Sequence, residues 1–163
     1  MKSFLICFLS MAIFTKVSAQ LKATPQCPPM IVNIEDGSVN KMQPNAALGL
    51  IEKTFPCFTS IVTETDSSKC GGLISFSDKD IYFYTSRDYI EIGEKFNGKL
   101  SIPLLGAVRA DLFKWLGYPK IKDITWDAFL TAYGVLVVYY DKAGKINKIQ
   151  ISTKSAETLK LCQ

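Results

Sequence analysis

The feature that most constrains this 163-residue chain is the alternation of apolar and polar residues on either side of short turns. Apolar side chains at every second position are typical of strands with one buried face. One pair of such runs is Leu73 to Phe76 and Ile81 to Thr85, and a second pair is Val135 to Tyr140 and Ile146 to Ser152. Each pair is separated by a polar turn with an Asp-Lys step. Both pairs predict hairpins, and hence an antiparallel sheet.

Other segments extend this pattern less clearly. Strands are predicted at Met30 to Ile34 and at Phe58 to Thr63. Tyr89 to Ile92 and Leu100 to Leu104 flank Asn97-Gly98 and predict another hairpin. The segment from Trp126 to Ala132 is compatible with a strand or a helix.

Two segments have helical spacing instead. Ala46 to Thr54 follows a potential cap at Asn45 and stops before Pro56. Ala107 to Leu116 ends at Gly117, a residue favoured after helix ends. The predicted fold class is therefore α+β, with an antiparallel sheet and two packed helices.

The N-terminus has the pattern of a secretory signal. Lys2 precedes an apolar run from Phe4 to Phe14, and Val17-Ser18-Ala19 offers a cleavage site. We expect residues 1–19 to be the signal peptide, 20–43 an extended segment with one short strand, and 44–163 a single α+β domain. No later run is long enough for a transmembrane anchor. The predicted location is periplasmic or secreted.

Charge and cysteine content agree with such a protein. Loss of the two lysines in residues 1–19 lowers the formal net charge from +4 to +2, too little to indicate nucleic-acid binding. Four cysteines then remain, which predicts two disulfides in an oxidising compartment. Sequence permits three pairings. We favour Cys57 with Cys70, which closes a short loop, and Cys27 with Cys162, which ties both termini to the domain.

The two halves of the domain share a pattern. A shift of 63 positions places Phe55-Pro56 on Tyr118-Pro119 and Asp78-Lys79 on Asp141-Lys142. It also places Phe76 on Tyr139. The shift indicates a tandem helix-plus-meander repeat, with units 44–106 and 107–163. The alternative is coincidence between two amphipathic hairpins.

This element order, with the repeated Gly-x-Leu-Ile/Val-x-Phe/Tyr-x-Asp-Lys hairpin, resembles the beta-lactamase inhibitor protein and small envelope proteins of the SmpA/OmlA type. The resemblance covers about Ala46 to Thr153. It implies a sheet whose open face grips another protein. No inhibitory residue of those proteins is carried over to a position in this chain.

Enzymatic chemistry has few candidates in this sequence. The chain has no histidine, which removes Ser-His-Asp and Cys-His sites and the usual zinc ligand sets. We therefore predict no catalytic residue, no metal and no cofactor. The alternative is a carboxylate-dependent glycan hydrolase that uses Glu91, Glu94 or Asp127, with Asp88 nearby.

Alternation on the hairpins instead suggests a binding face. Tyrosines interleaved with small polar residues are favoured at protein interfaces. The alternative is that a helix or loop covers the tyrosines. The predicted partner is another protein, a hydrolase or a toxin, with the chain acting as inhibitor or immunity protein; an outer-membrane assembly factor is a further alternative. With the repeat alignment, the predicted interface comprises Ser75, Ser77, Tyr82, Tyr84, Leu136, Val138, Tyr140, Lys148 and Gln150.

Overall fold

A computed structural model describes residues 25–63 and 71–160. The predicted signal peptide, Cys70 and Cys162 lie outside the described residues. These residues include two helices, α1 (Leu48–Thr54) and α2 (Arg109–Leu116). The strands are β1 (Ile31–Asn33), β2 (Ser38–Val39), β3 (Ser60–Val62), β4 (Leu73–Phe76), β5 (Ile81–Tyr84), β6 (Tyr89–Gly93), β7 (Lys99–Leu100), β8 (Ile121–Lys122), β9 (Trp126–Thr131), β10 (Gly134–Tyr140) and β11 (Ile146–Ser152).

The main sheet has eight antiparallel strands in the order β3-β4-β5-β6-β11-β10-β9-β8. Its two halves are joined at the centre by β6 and β11, which pair from Lys148 opposite Gly93 to Ser152 opposite Tyr89. In each half a helix is followed in the chain by four strands. The first of the four lies at the edge of the sheet and the last lies at its centre. The α+β class, the antiparallel sheet and the two helices are confirmed.

A second, three-stranded sheet has the order β2-β1-β7. β7 runs parallel to β1, and the Lys99 N–H donates to the Met30 carbonyl oxygen at 2.9 Å. The predicted hairpin of Tyr89 to Ile92 with Leu100 to Leu104 is therefore wrong. The reason is that β6 already pairs with β5 on one side and β11 on the other, so the chain after Gly98 pairs with the N-terminal segment instead.

One face of the main sheet forms the core with both helices and the small sheet. Phe55, the residue directly after α1, is fully buried and packs edge-on against Phe76 of β4, with ring centroids 5.8 Å apart. From α2, Leu112 belongs to the same cluster. The N-terminal segment is part of this core as well, through Met30, Val32, Ile34, Val39 and Met42.

The ends of the helices agree only in part with the sequence. Gly117 ends α2 with φ of +71°, a conformation that glycine adopts without strain. The predicted cap at Asn45 is wrong, because α1 begins at Leu48 and Ala47 occupies the cap position without a side-chain hydrogen bond. Neither helix in the described ranges is long and apolar enough to cross a membrane.

Cys27 and Cys57 form a disulfide, with Cα atoms 5.4 Å apart. Both lie against the core, Cys27 before β1 and Cys57 after α1, and the Cys57 N–H donates to Cys27 Sγ at 3.3 Å. The preferred pairings, Cys57 with Cys70 and Cys27 with Cys162, are therefore wrong. The core brings the N-terminal segment onto α1, and this long-range contact leaves no signal in cysteine spacing.

Candidate functional site

The face of the main sheet opposite the helices is the candidate site, and we call it the outer face. Strand alternation brings its side chains from β4, β5, β6 and β11 into rows, because Ser75 pairs with Tyr82, Tyr82 with Glu91, and Glu91 with Gln150. The predicted positions Ser75, Tyr82, Tyr84, Lys148 and Gln150 all point to this side of the sheet, but Ser75 and Gln150 are buried, with 5% and 1% of their surface exposed. Together with Glu91 and Tyr139 they define the outer face.

Three predicted interface residues lie on the other face. Leu136 and Val138 are fully buried in the core, and Tyr140 packs against the same core cluster. The prediction failed because the 63-residue shift aligned Phe76, a core residue, with Tyr139, which faces outward. A shift wrong by an odd number of residues moves every side chain of a strand to the opposite face.

Ser77 lies beyond the sheet, in the turn after β4. Its N–H donates to Thr59 Oγ1 at 3.0 Å, and the Thr59 hydroxyl donates to Ser77 Oγ at 3.1 Å. Ser77 is exposed at the edge of the outer face instead of within a strand.

A chain of polar contacts crosses the centre of the outer face. The Tyr139 hydroxyl donates to Gln150 Oε1 at 2.8 Å, and Gln150 Nε2 donates to Glu91 Oε2 at 2.6 Å. Lys148 Nζ lies 3.5 Å from the same carboxylate oxygen and 4.3 Å from the centre of the Tyr139 ring. These contacts hold four polar side chains in fixed positions, which lowers the entropy cost of binding a partner. Glu91, Tyr139 and Lys148 are partly exposed, whereas Gln150 is buried.

The tyrosines beside this network are also held in place. The rings of Tyr84 and Tyr89 stack at a centroid distance of 4.3 Å. Burial raises the pKa of Tyr84, and the negative charge of Glu91 raises it further. Burial likewise raises the pKa of Tyr82, with a contribution from Asp80. Both hydroxyls are therefore neutral donors at ordinary pH.

No known protein family, curated protein or solved structure matches the chain. The function is therefore argued from the site itself.

The C-terminal segment 153–160 covers the other half of this sheet face. Ala156 and Leu159 pack on a second apolar cluster formed by Ala128, Val135 and Val137. The segment thus covers β9 and β10, as the alternative of a covering loop predicts. Tyr82 and Tyr84 are not covered by it and stay half-buried. A cavity of about 350 Å³ remains under the segment, lined by Ile121, Thr125, Trp126, Ala128, Val135, Val137, Tyr139, Ala156 and Leu159.

The carboxylates considered for glycan hydrolysis do not converge. Glu91 lies on the outer face, whereas Asp127 is opposite Val138 on the core face, with 1% of its surface exposed. Asp127 accepts two hydrogen bonds from Arg109, at 2.9 and 3.0 Å, and one from the Tyr140 hydroxyl at 2.6 Å. Its oxygens are thus occupied by structural partners.

Two further carboxylates from this set are also accounted for. Asp88 forms an ion pair with Lys154 at 2.7 Å, and Glu94 is exposed after β6. Within the two described stretches, no group of three or more His, Cys, Asp or Glu residues could hold a metal ion.

The Tyr139 hydroxyl gives the outer face a measurable pH dependence. Burial, with the charge of Glu91, raises the pKa of Tyr139 from about 10 to about 12. Between these values the unfolded chain loses the proton while the folded protein keeps it, so this contribution to stability is complete below pH 10 and is lost as the pH rises to 12. We expect the free energy of unfolding in urea to fall over this range, and to fall less steeply in Tyr139→Phe. If the free energy of unfolding fell equally steeply with pH in the wild type and in Tyr139→Phe, the Tyr139 hydroxyl would not be buried beside Glu91 as described.

Proposed function

We propose that this is an exported protein-binding module that inhibits a hydrolase, or gives immunity to a toxin, by covering it with the outer face. The observation that carries the proposal is the row of half-buried tyrosines joined to the Tyr139–Gln150–Glu91–Lys148 network on a sheet face that no described helix covers. Residues that dominate the binding energy of an interface are often aromatic side chains surrounded by ordered polar residues.

Two further features support this proposal. The Cys27–Cys57 disulfide fits an oxidising compartment outside the cytosol. Inhibition by occlusion needs only surface complementarity. It does not require carboxylates to converge, and Glu91 and Asp127 lie on opposite faces of the sheet. The resemblance to the beta-lactamase inhibitor protein, drawn from sequence alone, points to the same mode of action.

The test is affinity capture from envelope extract under non-reducing conditions, with the full chain carrying a C-terminal tag. We expect the wild type to retain a protein partner and to inhibit it when the partner is a hydrolase or toxin. Removing two tyrosine anchors, in Tyr82→Ala/Tyr84→Ala, should weaken binding by at least about 30-fold, since anchor residues contribute about 2 kcal/mol or more.

The matched control is Ile31→Ala/Leu50→Ala, which removes two exposed apolar side chains from β1 and α1, away from the outer face, and should leave binding unchanged. Unfolding curves would establish that both variants are folded. Equal loss of binding in both variants, or in neither, would argue against the outer face as the interface. Glycan turnover that Glu91→Gln abolishes would favour the hydrolase alternative.

A further inference from the structure

The C-terminal segment 153–160, which we call the strap, lies over β9 and β10 with few contacts. Ala156 and Leu159 pack on the sheet, whereas the other four side chains from position 155 onwards are exposed. In this part of the strap, the hydrogen bonds to described residues are internal ones, such as the bond from the Leu159 N–H to the Ser155 carbonyl oxygen at 3.0 Å. The strap therefore adds no strand to the sheet.

The strap is fixed to the domain at its start. Gly134 lies so close to the Lys154 carbonyl oxygen that a Cβ atom on Gly134 would overlap it, and Lys154 Nζ pairs with an Asp88 oxygen at 2.7 Å. Further along, Lys120 attracts Glu157, but both side chains are exposed and such pairs contribute little. Segments with so few buried contacts open at a small fraction of the free energy of global unfolding.

The strap does not fill the space beneath it. The cavity of about 350 Å³ lies between the strap and the sheet, and its lining has no charged side chain. Two small residues face this space, Ala156 on the strap and Ala128 on β9. Side chains that line a void lose dispersion contacts there. The strap is thus a loosely packed cover over an apolar surface.

The surface beneath the strap continues the outer face. Tyr139 belongs to both, because it lines the cavity while its hydroxyl donates to Gln150 in the polar network. Gln150 also pairs with Val137 on β10, and Val137 pairs with Ala128 on β9. One row of side chains therefore runs from the tyrosine half of the outer face to the sheet under the strap.

The uncovered part of the outer face is small for a stable interface. Its strands are β3, β4, β5, β6 and β11. With a strand spacing of about 4.8 Å and a rise of about 3.3 Å per residue, five strands of about five residues present about 400 Å², and eight present about 650 Å². Specific interfaces take about 800 Å² from each partner. An interface of ordinary size therefore needs the surface under the strap as well.

We propose that the strap is an autoinhibitory cover, and that the partner displaces it and docks on all eight strands of the outer face. Apolar side chains of the partner then take the place of Ala156 and Leu159. Because only molecules with an open strap bind fully, the closed strap lowers the apparent affinity. This inference rests on the proposed function and adds a means of regulating the same face.

Two variants of the strap should change the affinity for the captured partner in opposite directions. Leu159→Ser removes the larger apolar contact, and we expect it to tighten binding about tenfold, which is about 1.4 kcal/mol. Ala156→Leu fills part of the cavity, holds the strap closed and should weaken binding about fivefold. The matched control is Lys160→Ser at an exposed position of the strap, which should leave binding unchanged.

Trp126 reports on the strap in the free protein, because it lines the cavity. The chain has two tryptophans, so Trp115→Phe leaves Trp126 as the only one. In this background, Leu159→Ser should increase the quenching of Trp126 fluorescence by acrylamide, and Ala156→Leu should decrease it. Lys160→Ser should have no effect.

The outcomes separate this inference from the proposed function. Increased quenching in Leu159→Ser without tighter binding would overturn the inference, because the partner would not use the surface under an open strap. Unchanged quenching would overturn it as well. In either case the proposed function stands if Tyr82→Ala/Tyr84→Ala still weakens binding. A wild type that captures no partner would overturn both.

Discussion

Arg109→Ala is expected to destabilise the protein by about 3 kcal/mol, since removing one partner of a buried ion pair leaves an uncompensated charge. Asp127 is only 1% exposed, and Arg109 supplies two of its three hydrogen bonds. Arg109 also stacks over the Tyr140 ring at 4.4 Å. The expected loss is at the lower end of the usual range because the Arg109 side chain is 35% exposed. Urea unfolding measures it.

The control for this prediction also removes the Asp127 charge, which Arg109→Ala leaves unpaired. Arg109→Ala/Asp127→Asn should be more stable than Arg109→Ala alone by at least about 1 kcal/mol, because a neutral amide is cheaper to bury than a carboxylate. A loss below about 1 kcal/mol in Arg109→Ala, or a double variant no more stable than the single one, would show that the pair is not the anchor of α2 on β9.

Loss of the Cys27–Cys57 disulfide is the second large effect. The bond spans 30 residues, and a loop of that length stabilises a fold by about 3.5 kcal/mol through the entropy of the unfolded chain. We expect Cys27→Ser/Cys57→Ser to lower the free energy of unfolding by about that amount. The N-terminal segment should also fray more readily, because β1 and β2 are tied to α1 through this bond.

Peptide mapping by mass spectrometry of the non-reduced protein tests the same feature directly. The expected product joins the fragments that carry Cys27 and Cys57. A fragment that joins Cys57 to Cys70 would contradict the fold of the N-terminal segment. The wild type with reductant added serves as the control, and its stability should approach that of the double serine variant.

The local pattern of apolar and polar residues predicts much of this fold. The alternation of apolar residues placed β4, β5, β10 and β11 within a residue of their ends, because one-sided burial imposes a period of two. Helical spacing and Gly117 located α2 in the same way. The segment after Trp126, left open between strand and helix, is β9.

Long-range pairing could not be predicted by the same means. Nothing local in β6 indicates that its partner is β11, about 60 residues later, or that β7 joins β1 in a parallel pair. The two-residue strands β2 and β8 are too short to have a period at all.

The candidate site shows the same division between local and long-range information. The outward direction of Tyr82, Tyr84 and Glu91 followed from alternation within one hairpin, whereas Leu136, Val138 and Tyr140 depended on an alignment between distant hairpins and were wrong. The role of Arg109 was missed, because its contact with Asp127 joins α2 to β9 and depends on the packing of the helix on the sheet. An arginine near the start of a helix gives no sequence signal of that kind.

The central claim, that the outer face binds another protein, is tested most directly by oxidative footprinting of tyrosines in the free protein and in the captured complex. Mass spectrometry measures the labelling of each ring. Tyr82 and Tyr84 should lose most of their labelling when the partner is bound, while Tyr118, which is 85% exposed on the helix side of the sheet, should keep its labelling. Unchanged labelling of Tyr82 and Tyr84 in a stable complex would contradict the claim.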